Sequence, residues 1–264
     1  RGMYEDLKGK TALVAGAARR RGLGFAIARA LARQGAAVCL ADRDAEVLER
    51  ARELEAEGAV ACGVVADIRS DGATETLRAT FAARHPRLDI LILCVGRMHG
   101  QGRVAELSPE AWQETQEVNL FGAFRMLHAF LPLMRDKGGS VIALASGAGK
   151  RPLPGFSGYS VSKAGLIMLL KCVAVEYSAC GVRANAICPG PVESDMVEER
   201  IAAEAASAGV PPDERRAALC RGIPLGRMAT ADDIAAAALF LASDASAYIT
   251  GLALNLSGGM ITEL

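Results

Sequence analysis

Seven short apolar runs, each four to seven residues long, recur through the 264-residue chain, and a longer amphipathic stretch separates each from the next. The runs are "ALVA" (12–15), "AVCLA" (37–41), "VACGVV" (60–65), "DILILCV" (89–95), "SVIALA" (140–145), "RANAIC" (183–188) and "GLALNL" (251–256). Near-continuous hydrophobicity at this length suits strands covered on both faces, as in a parallel sheet. The stretches between them follow a helical period. Leu23, Ile27 and Leu31 recur at i, i+4 and i+8, and Gly35 stops that helix. Ser108-Pro109 reads as an N-cap with proline at the first helical position, and Thr230 with Asp233 as a capping box. Residues 195–222 break the rhythm with a helical insertion interrupted by Pro211-Pro212. The alternation predicts one doubly wound α/β domain over 1–264 with right-handed crossovers, its ligand at the carboxyl ends of the strands.

Charge narrows the partners. Thirty basic residues balance thirty acidic ones, so a polyanion such as nucleic acid is not expected. The seven cysteines (39, 62, 94, 172, 180, 188 and 220) are odd in number and never spaced C-x-x-C. They read as buried free thiols of a reducing compartment. No apolar run is expected to reach the roughly 18 residues of a membrane span, and no signal-peptide pattern opens the chain. The expectation is a cytoplasmic protein without a membrane partner.

The first strand runs into "AGAARRRGLG" (15–24). Gly16 follows the strand, and Gly22, Leu23 and Gly24 open the helix. Glycine permits the tight turn and a close approach to a pyrophosphate, and the helix N-terminus supplies free N–H groups. Asp42 ends the second strand, where a carboxylate can accept from the hydroxyls of an adenosine ribose. Asp44 suits a helix cap instead. Asp42 would repel a ribose 2′-phosphate, since like charges at about 4 Å cost on the order of 4 kcal/mol at an effective dielectric near 20. That favours NAD. Arg21 and Arg43 could each pair with a phosphate, which leaves NADP open, while Arg19 and Arg20 read as solvated.

"SGYSVSKAGL" (157–166) places Tyr159 and Lys163 on one helix face. Tyr4 and Lys8 share the spacing but lack any partner motif, whereas Ser146 ends a strand 13 residues before Tyr159. Here the chain resembles the short-chain dehydrogenase/reductase family nearly end to end. The glycine turn, Asp42, "ADI" (66–68), "EVNLFG" (117–122), Ser146, "YSVSK" (159–163), "NAICPGPVES" (185–194), "IPLGRM" (223–228), "FLASDASAYITG" (240–251) and "SGGM" (257–260) fall in family order.

The resemblance implies a Rossmann-type three-layer sandwich with seven parallel strands, a lid at about 195–222 and a homotetramer, or else a homodimer. It implies hydride transfer between NAD and a small-molecule secondary alcohol or ketone. Tyr159 would be the acid/base, Lys163 would hold the nicotinamide ribose, Ser146 would position the substrate oxygen, and Asn119 would hold a water that passes protons to Lys163. Asp67 and Ile68 would meet the adenine. Gly96 would contact the cofactor by its backbone, and Pro189, Gly190, Val192 and Ser194 would form the nicotinamide-side loop. The chemistry asks for a tyrosine whose pKa falls from about 10 toward neutrality. A nearby Lys163 cation could contribute about 4 kcal/mol, or roughly three units.

The chain departs from the family pattern in four places. Gly16 and Gly22 stand six apart where four is usual, Ala15 replaces a common threonine, "LCVG" (93–96) replaces Asn-Asn-Ala-Gly, and Ser257 replaces an aspartate. Other readings remain open. An enoyl reductase would place its lysine seven residues after the tyrosine, where this chain has Leu166. A non-redox nucleotide-binding scaffold, or a dehydratase or epimerase with bound NAD, fits an intact tetrad less well. Candidate pocket residues are Met98, His99, Gly147, Leu153, Phe156, Pro191 and Met196. Lys150 and Arg151 are either attractors of an acidic substrate or solvated, and His85 and His128 suggest nothing catalytic.

Overall fold

The computed structural model describes residues 4–262. Its centre is one seven-stranded sheet, parallel throughout, in the order β3-β2-β1-β4-β5-β6-β7. The strands are β1 (Thr11–Ala15), β2 (Ala37–Asp42), β3 (Ala61–Val65), β4 (Ile90–Leu93), β5 (Gly139–Leu144), β6 (Val182–Pro189) and β7 (Ala253–Leu256). Each falls on one of the apolar runs, and none of the runs is lost.

Two cores explain the lack of alternation in those runs. On one face Leu13, Ala15, Cys39, Leu91, Leu93, Val141, Ala143 and Ala184 pack against α3 (Asp71–Arg84), α5 (Gly122–Phe130) and α6 (Ser157–Tyr177). On the other, Ala12, Val14, Val38, Leu40, Ile90, Ile92 and Ile142 pack against α1 (Leu23–Arg33), α2 (Glu46–Ala56) and α9 (Ala231–Ala242). Successive residues point to opposite faces and both faces are dry, so a polar residue in an inner strand must find a partner, as buried Ser140 does on Leu241 O at 2.7 Å and Asn185 on Ile249 O at 3.0 Å.

The helix ends follow the expected chemistry. Ser108 accepts from Ala111 N–H at 3.1 Å to start α4 (Pro109–Gln116). Thr230 and Asp233 form a reciprocal capping box at α9. After α1, Gly35 takes φ +83°, a conformation that ends the helix. The insertion folds as α7 (Asp195–Ala208) and α8 (Pro212–Arg221), with Pro211 and Pro212 at the break. Glu204 on α7 accepts from Arg215 at 2.7 Å, and Glu198 pairs with Arg216, so two ion pairs clip α8 to α7.

Two expectations are corrected here. One helical stretch, Ser157–Cys180, is long and apolar enough to cross a membrane by length and composition, with mean hydropathy 1.4. Half of that window is buried, which accounts for part of its apolarity: Leu166, Ile167, Leu170, Val173 and Ala174 belong to the core beneath β5 and β6. The cysteines are all free, but only Cys39 and Cys188 are fully buried, and Cys172 is exposed.

Candidate active site

The sheet order reverses between β1 and β4, and the loops leaving the carboxyl ends of the strands diverge there. They enclose a cavity of about 710 Å³. Its wall takes in Gly16, Arg21, Gly22, Leu23, Asp42, Arg43, Asp67, Ile68, Gly96, Ser146, Tyr159, Lys163, Pro189, Gly190, Val192 and Ser194. Residues as far apart as 16 and 194 thus meet in one space. Gly24 and Asn119 stand behind the wall.

The glycines are there because nothing larger fits. A Cβ on Gly16, at φ +89°, would lie 2.8 Å from the Cys94 carbonyl carbon. One on Gly24 would lie 2.1 Å from the Gly16 carbonyl oxygen. Backbone therefore packs directly on backbone, and α1 begins against the turn. Its N-cap, Gly22, offers no side-chain acceptor, so the first N–H groups of α1 are left for a ligand at the cavity wall. The two extra loop residues are absorbed locally. Ala17 and Ala18 are buried, Gly22 N–H closes on Arg19 O at 2.9 Å, and Arg20 turns away toward Glu53 at 3.7 Å. Arg19 is exposed to solvent, as expected of it, and also lines the cavity.

Asp42 ties two loops together. It accepts from Ala18 N–H and from Asp44 N–H, both at 3.1 Å. A carboxylate has about four acceptor sites, so capacity remains for ribose hydroxyls. Asp44 accepts from Glu46 N–H at 3.0 Å, as a cap should. Asp67 is gripped by Arg69 at 2.6 Å, and that hydrogen bond holds its carboxyl below the usual range. Arg69 lines the cavity as well. Arg19 and Arg69 thus join Arg21 and Arg43 at the Asp42 end of the cavity, two cations that sequence reasoning did not place there.

Tyr159 and Lys163 sit one turn apart on α6, with the Lys163 ammonium 5.8 Å from the Tyr159 ring centre. Lys163 is only 3% exposed, and its Nζ donates to Leu144 O at 2.8 Å. Burial lowers its pKa to about 8. A Cβ on Gly96 would stand 2.9 Å from that Nζ, so glycine here makes room for the lysine. The Tyr159 phenol stands beside the Ser146 hydroxyl, whose Oγ accepts from Ala148 N–H at 3.1 Å.

The expected lowering of the Tyr159 pKa is not what this arrangement produces. Burial raises it, and the Ser146 hydrogen bond and the positive charge of Arg200 only oppose that rise. The Lys163 cation is spent on Leu144 O and is itself destabilised by burial. Arg200, on α7, was missed from sequence. It stands one turn after Met196, and that helical spacing was the available signal.

Asn119 lies in a π-helical turn, Glu117–Phe121, between α4 and α5. Such turns often mark functional sites. Its Oδ1 accepts from Arg97 N–H at 2.7 Å, while Nδ2 donates to Arg97 O at 2.9 Å and to Ser162 Oγ at 3.0 Å. The side chain thus pairs with the peptide groups of residue 97 as a neighbouring strand would, fixing the loop after β4. Ser194 caps α7 by accepting from Val197 N–H at 3.4 Å.

Of the pocket candidates, Met98, His99 and Met196 line this cavity, and Gly147, Leu153, Phe156 and Pro191 do not. His99 shares Glu114 with Arg97, at 3.2 and 3.0 Å. Neither Lys150 nor Arg151 lies in the cavity wall: half-buried Lys150 donates to Ala253 O at 2.6 Å, and Arg151, exposed to solvent, donates to Met260 O at 3.0 Å, fastening the loop after β5 to the C-terminal segment.

An open α/β sheet, a capless helix start over a glycine turn, and a Ser–Tyr–Lys group at the neighbouring strand end together define a nicotinamide-dependent oxidoreductase. The family model described as Enoyl-(Acyl carrier protein) reductase matches residues 16–261. Among curated relatives, 3beta-hydroxysteroid dehydrogenase 1 of Eggerthella lenta is 36% identical, over 98% of this chain and 96% of that protein. Among solved structures, actinorhodin polyketide ketoreductase with NADPH is 31% identical, with a TM-score of 0.90 over 98% of this chain and 99% of that one. Carveol dehydrogenase from Mycobacterium avium in complex with NAD is 26% identical, with a TM-score of 0.91 over 97% and 99%. The chain belongs to the short-chain dehydrogenase/reductase family, whose members act on CH–OH groups with a nicotinamide cofactor.

Proposed function

We propose that this chain interconverts a secondary alcohol and its ketone, with NAD(H) as cofactor and Tyr159 as the acid/base. The observation that carries this is the meeting of Tyr159, Ser146 and Lys163 in one cavity wall, with the Lys163 ammonium one turn along α6 from Tyr159. The cofactor, when bound, gives or takes the hydride. Gly16, Gly22, Leu23 and Gly24 cradle its pyrophosphate, and Asp42 accepts from the adenosine ribose. Asp67 and Ile68 flank the adenine. Gly96, Lys163, Pro189, Gly190, Val192 and Ser194 serve the nicotinamide half. Ser146 orients the substrate oxygen, Tyr159 holds the proton that moves to or from it, and Lys163 supplies the neighbouring positive charge. Asn119 acts by holding the loop that carries Gly96.

A phenol kept protonated by burial supports the reductive direction, in which Tyr159 gives its proton to the forming alkoxide. The lysine four residues after the tyrosine, with buried Leu166 at the seventh position, supports carbonyl rather than enoyl chemistry. The four arginines at the Asp42 end of the cavity support a second reading, in which NADP(H) is used and Arg21 and Arg43 meet the 2′-phosphate. In this proposal residues 4–262 work as one domain, with 195–222 as the substrate lid. A cytoplasmic homotetramer, or a homodimer, fits the free thiols and the exposed Phe121, Phe124, Val161, Met168 and Val175.

The test is Tyr159→Phe, assayed against a panel of secondary alcohols and ketones with NAD(H) and NADP(H). Turnover should fall by about 10³-fold or more while NADH affinity stays within about twofold. A variant that retains turnover removes Tyr159 from the acid/base role.

A further inference from the structure

Strands β2 and β3 pair with Cys39 directly beside Cys62. Neighbouring strands lie about 4.8 Å apart, inside the roughly 4.4–6.8 Å span between Cα atoms that a disulfide bridges. Both side chains face the core that holds Leu77 and Phe81 of α3. Cys39 is buried, whereas Cys62 is partly exposed on β3, an edge strand of the sheet. The end of α3 brings the polar side chains of Arg84 and His85 beside Cys62.

These neighbours make the two thiols unlike. Hydrogen bonds from Cys39, and then from Arg84 and His85, pull Cys62 well below the ordinary thiol range. Cys39 is pushed up by its hydrogen bond to Cys62 and by burial, and so keeps its proton. An accessible thiolate with a protonated thiol behind it is the arrangement of an attacking and a resolving cysteine. Neither residue lines the active-site cavity.

We propose that Cys62 and Cys39 form a peroxide-reactive dithiol that closes to a disulfide between β2 and β3. The Cys62 thiolate attacks the O–O bond of a hydroperoxide. The distal oxygen transfers to sulfur, and the leaving alkoxide or hydroxide takes a proton from solvent. This leaves a sulfenic acid on Cys62 and releases an alcohol or water. The Cys39 sulfur then attacks the Cys62 sulfur, and its thiol proton leaves with the sulfenic oxygen as water. Each sulfur gives up one electron, and the peroxide takes both.

The test treats the intact protein with hydrogen peroxide, alkylates the remaining thiols and maps tryptic peptides by mass. Peptides 34–43 and 53–69 each carry one cysteine, so the bridge is unambiguous. They should appear joined, with the loss of two hydrogen atoms, before exposed Cys172 is consumed, and should separate on treatment with dithiothreitol. In Cys39→Ser the bridge should vanish and Cys62 should take up dimedone, the sulfenic-acid trap. Cys39 and Cys62 both remaining alkylatable after Cys172 has been oxidised would overturn the proposal. So would a Cys62 in Cys39→Ser that takes up no dimedone.

Discussion

Replacing Lys163 by methionine should produce a protein that is inactive and yet gains stability near neutral pH relative to alkaline pH. The wild-type ammonium is buried, and its pKa falls from 10.5 to about 8. At about 1.36 kcal/mol per unit, burying the charge costs roughly 3 kcal/mol at pH 7. Between pH 8 and pH 10.5 the unfolded chain still holds a proton that the folded chain has released. The stability of the wild type therefore rises with pH through that window. From pH 7 to pH 10 about 2.5 kcal/mol of the penalty is relieved. The Lys163→Met variant would carry no such penalty. It would leave Leu144 O without its donor, which costs about 1–3 kcal/mol, but that loss does not depend on pH.

The decisive quantity is thus a difference of differences. Urea unfolding of both proteins at pH 7 and pH 10 should show the variant's relative stability dropping by about 2–2.5 kcal/mol between the two. The neighbouring thiols Cys94 and Cys188 do not intrude, because burial pushes both up, Cys94 to about 12. A gap between the two proteins that does not change with pH would refute the reasoning, for Lys163 would then carry its charge in the folded state at no cost.

Other perturbations test the cofactor end. Gly24→Ala places a Cβ 2.1 Å from Gly16 O, so α1 must move off the turn. Stability should fall by about 1–3 kcal/mol in urea unfolding, and NADH fluorescence titration should show binding weakened by at least about tenfold. Asp42→Ala removes the acceptor of Ala18 N–H and the carboxylate that ends β2. NADH affinity should fall by about tenfold or more while NADPH affinity falls less or improves, and equal losses would show that Asp42 does not select between them.

The architecture was legible because its causes are local. All seven apolar runs became strands, and Ser108, Thr230 with Asp233, and Gly35 bound their helices as their chemistry dictates. Gly16 and Gly22 stand further apart than the family pattern has them. In space the extra residues fold into a short turn, with Gly22 N–H on Arg19 O and Arg20 leaning on Glu53, so Gly16 still packs against Gly24. Lys150 and Arg151 show the opposite failure. As letters they are two cations beside a catalytic loop, but their partners are carbonyls about a hundred positions away, at Ala253 and Met260. Asn119 belongs between these cases. Its place in "VNLFG" marked it, but its grip on both peptide groups of residue 97 could not be read from spacing.

The order of residues alone thus determines strands, helices, caps and turns, because period, glycine and proline act over a few bonds. It also brings Tyr159 and Lys163 to one helix face. Only the tertiary structure decides what those groups experience. Burial raises Tyr159 and lowers Lys163, Arg200 arrives from a separate helix, and the Lys163 charge is turned to Leu144 O. The sign of a pKa shift is a balance between lost water and gained partners. Both terms depend on what surrounds a group in space, and chain order does not record that.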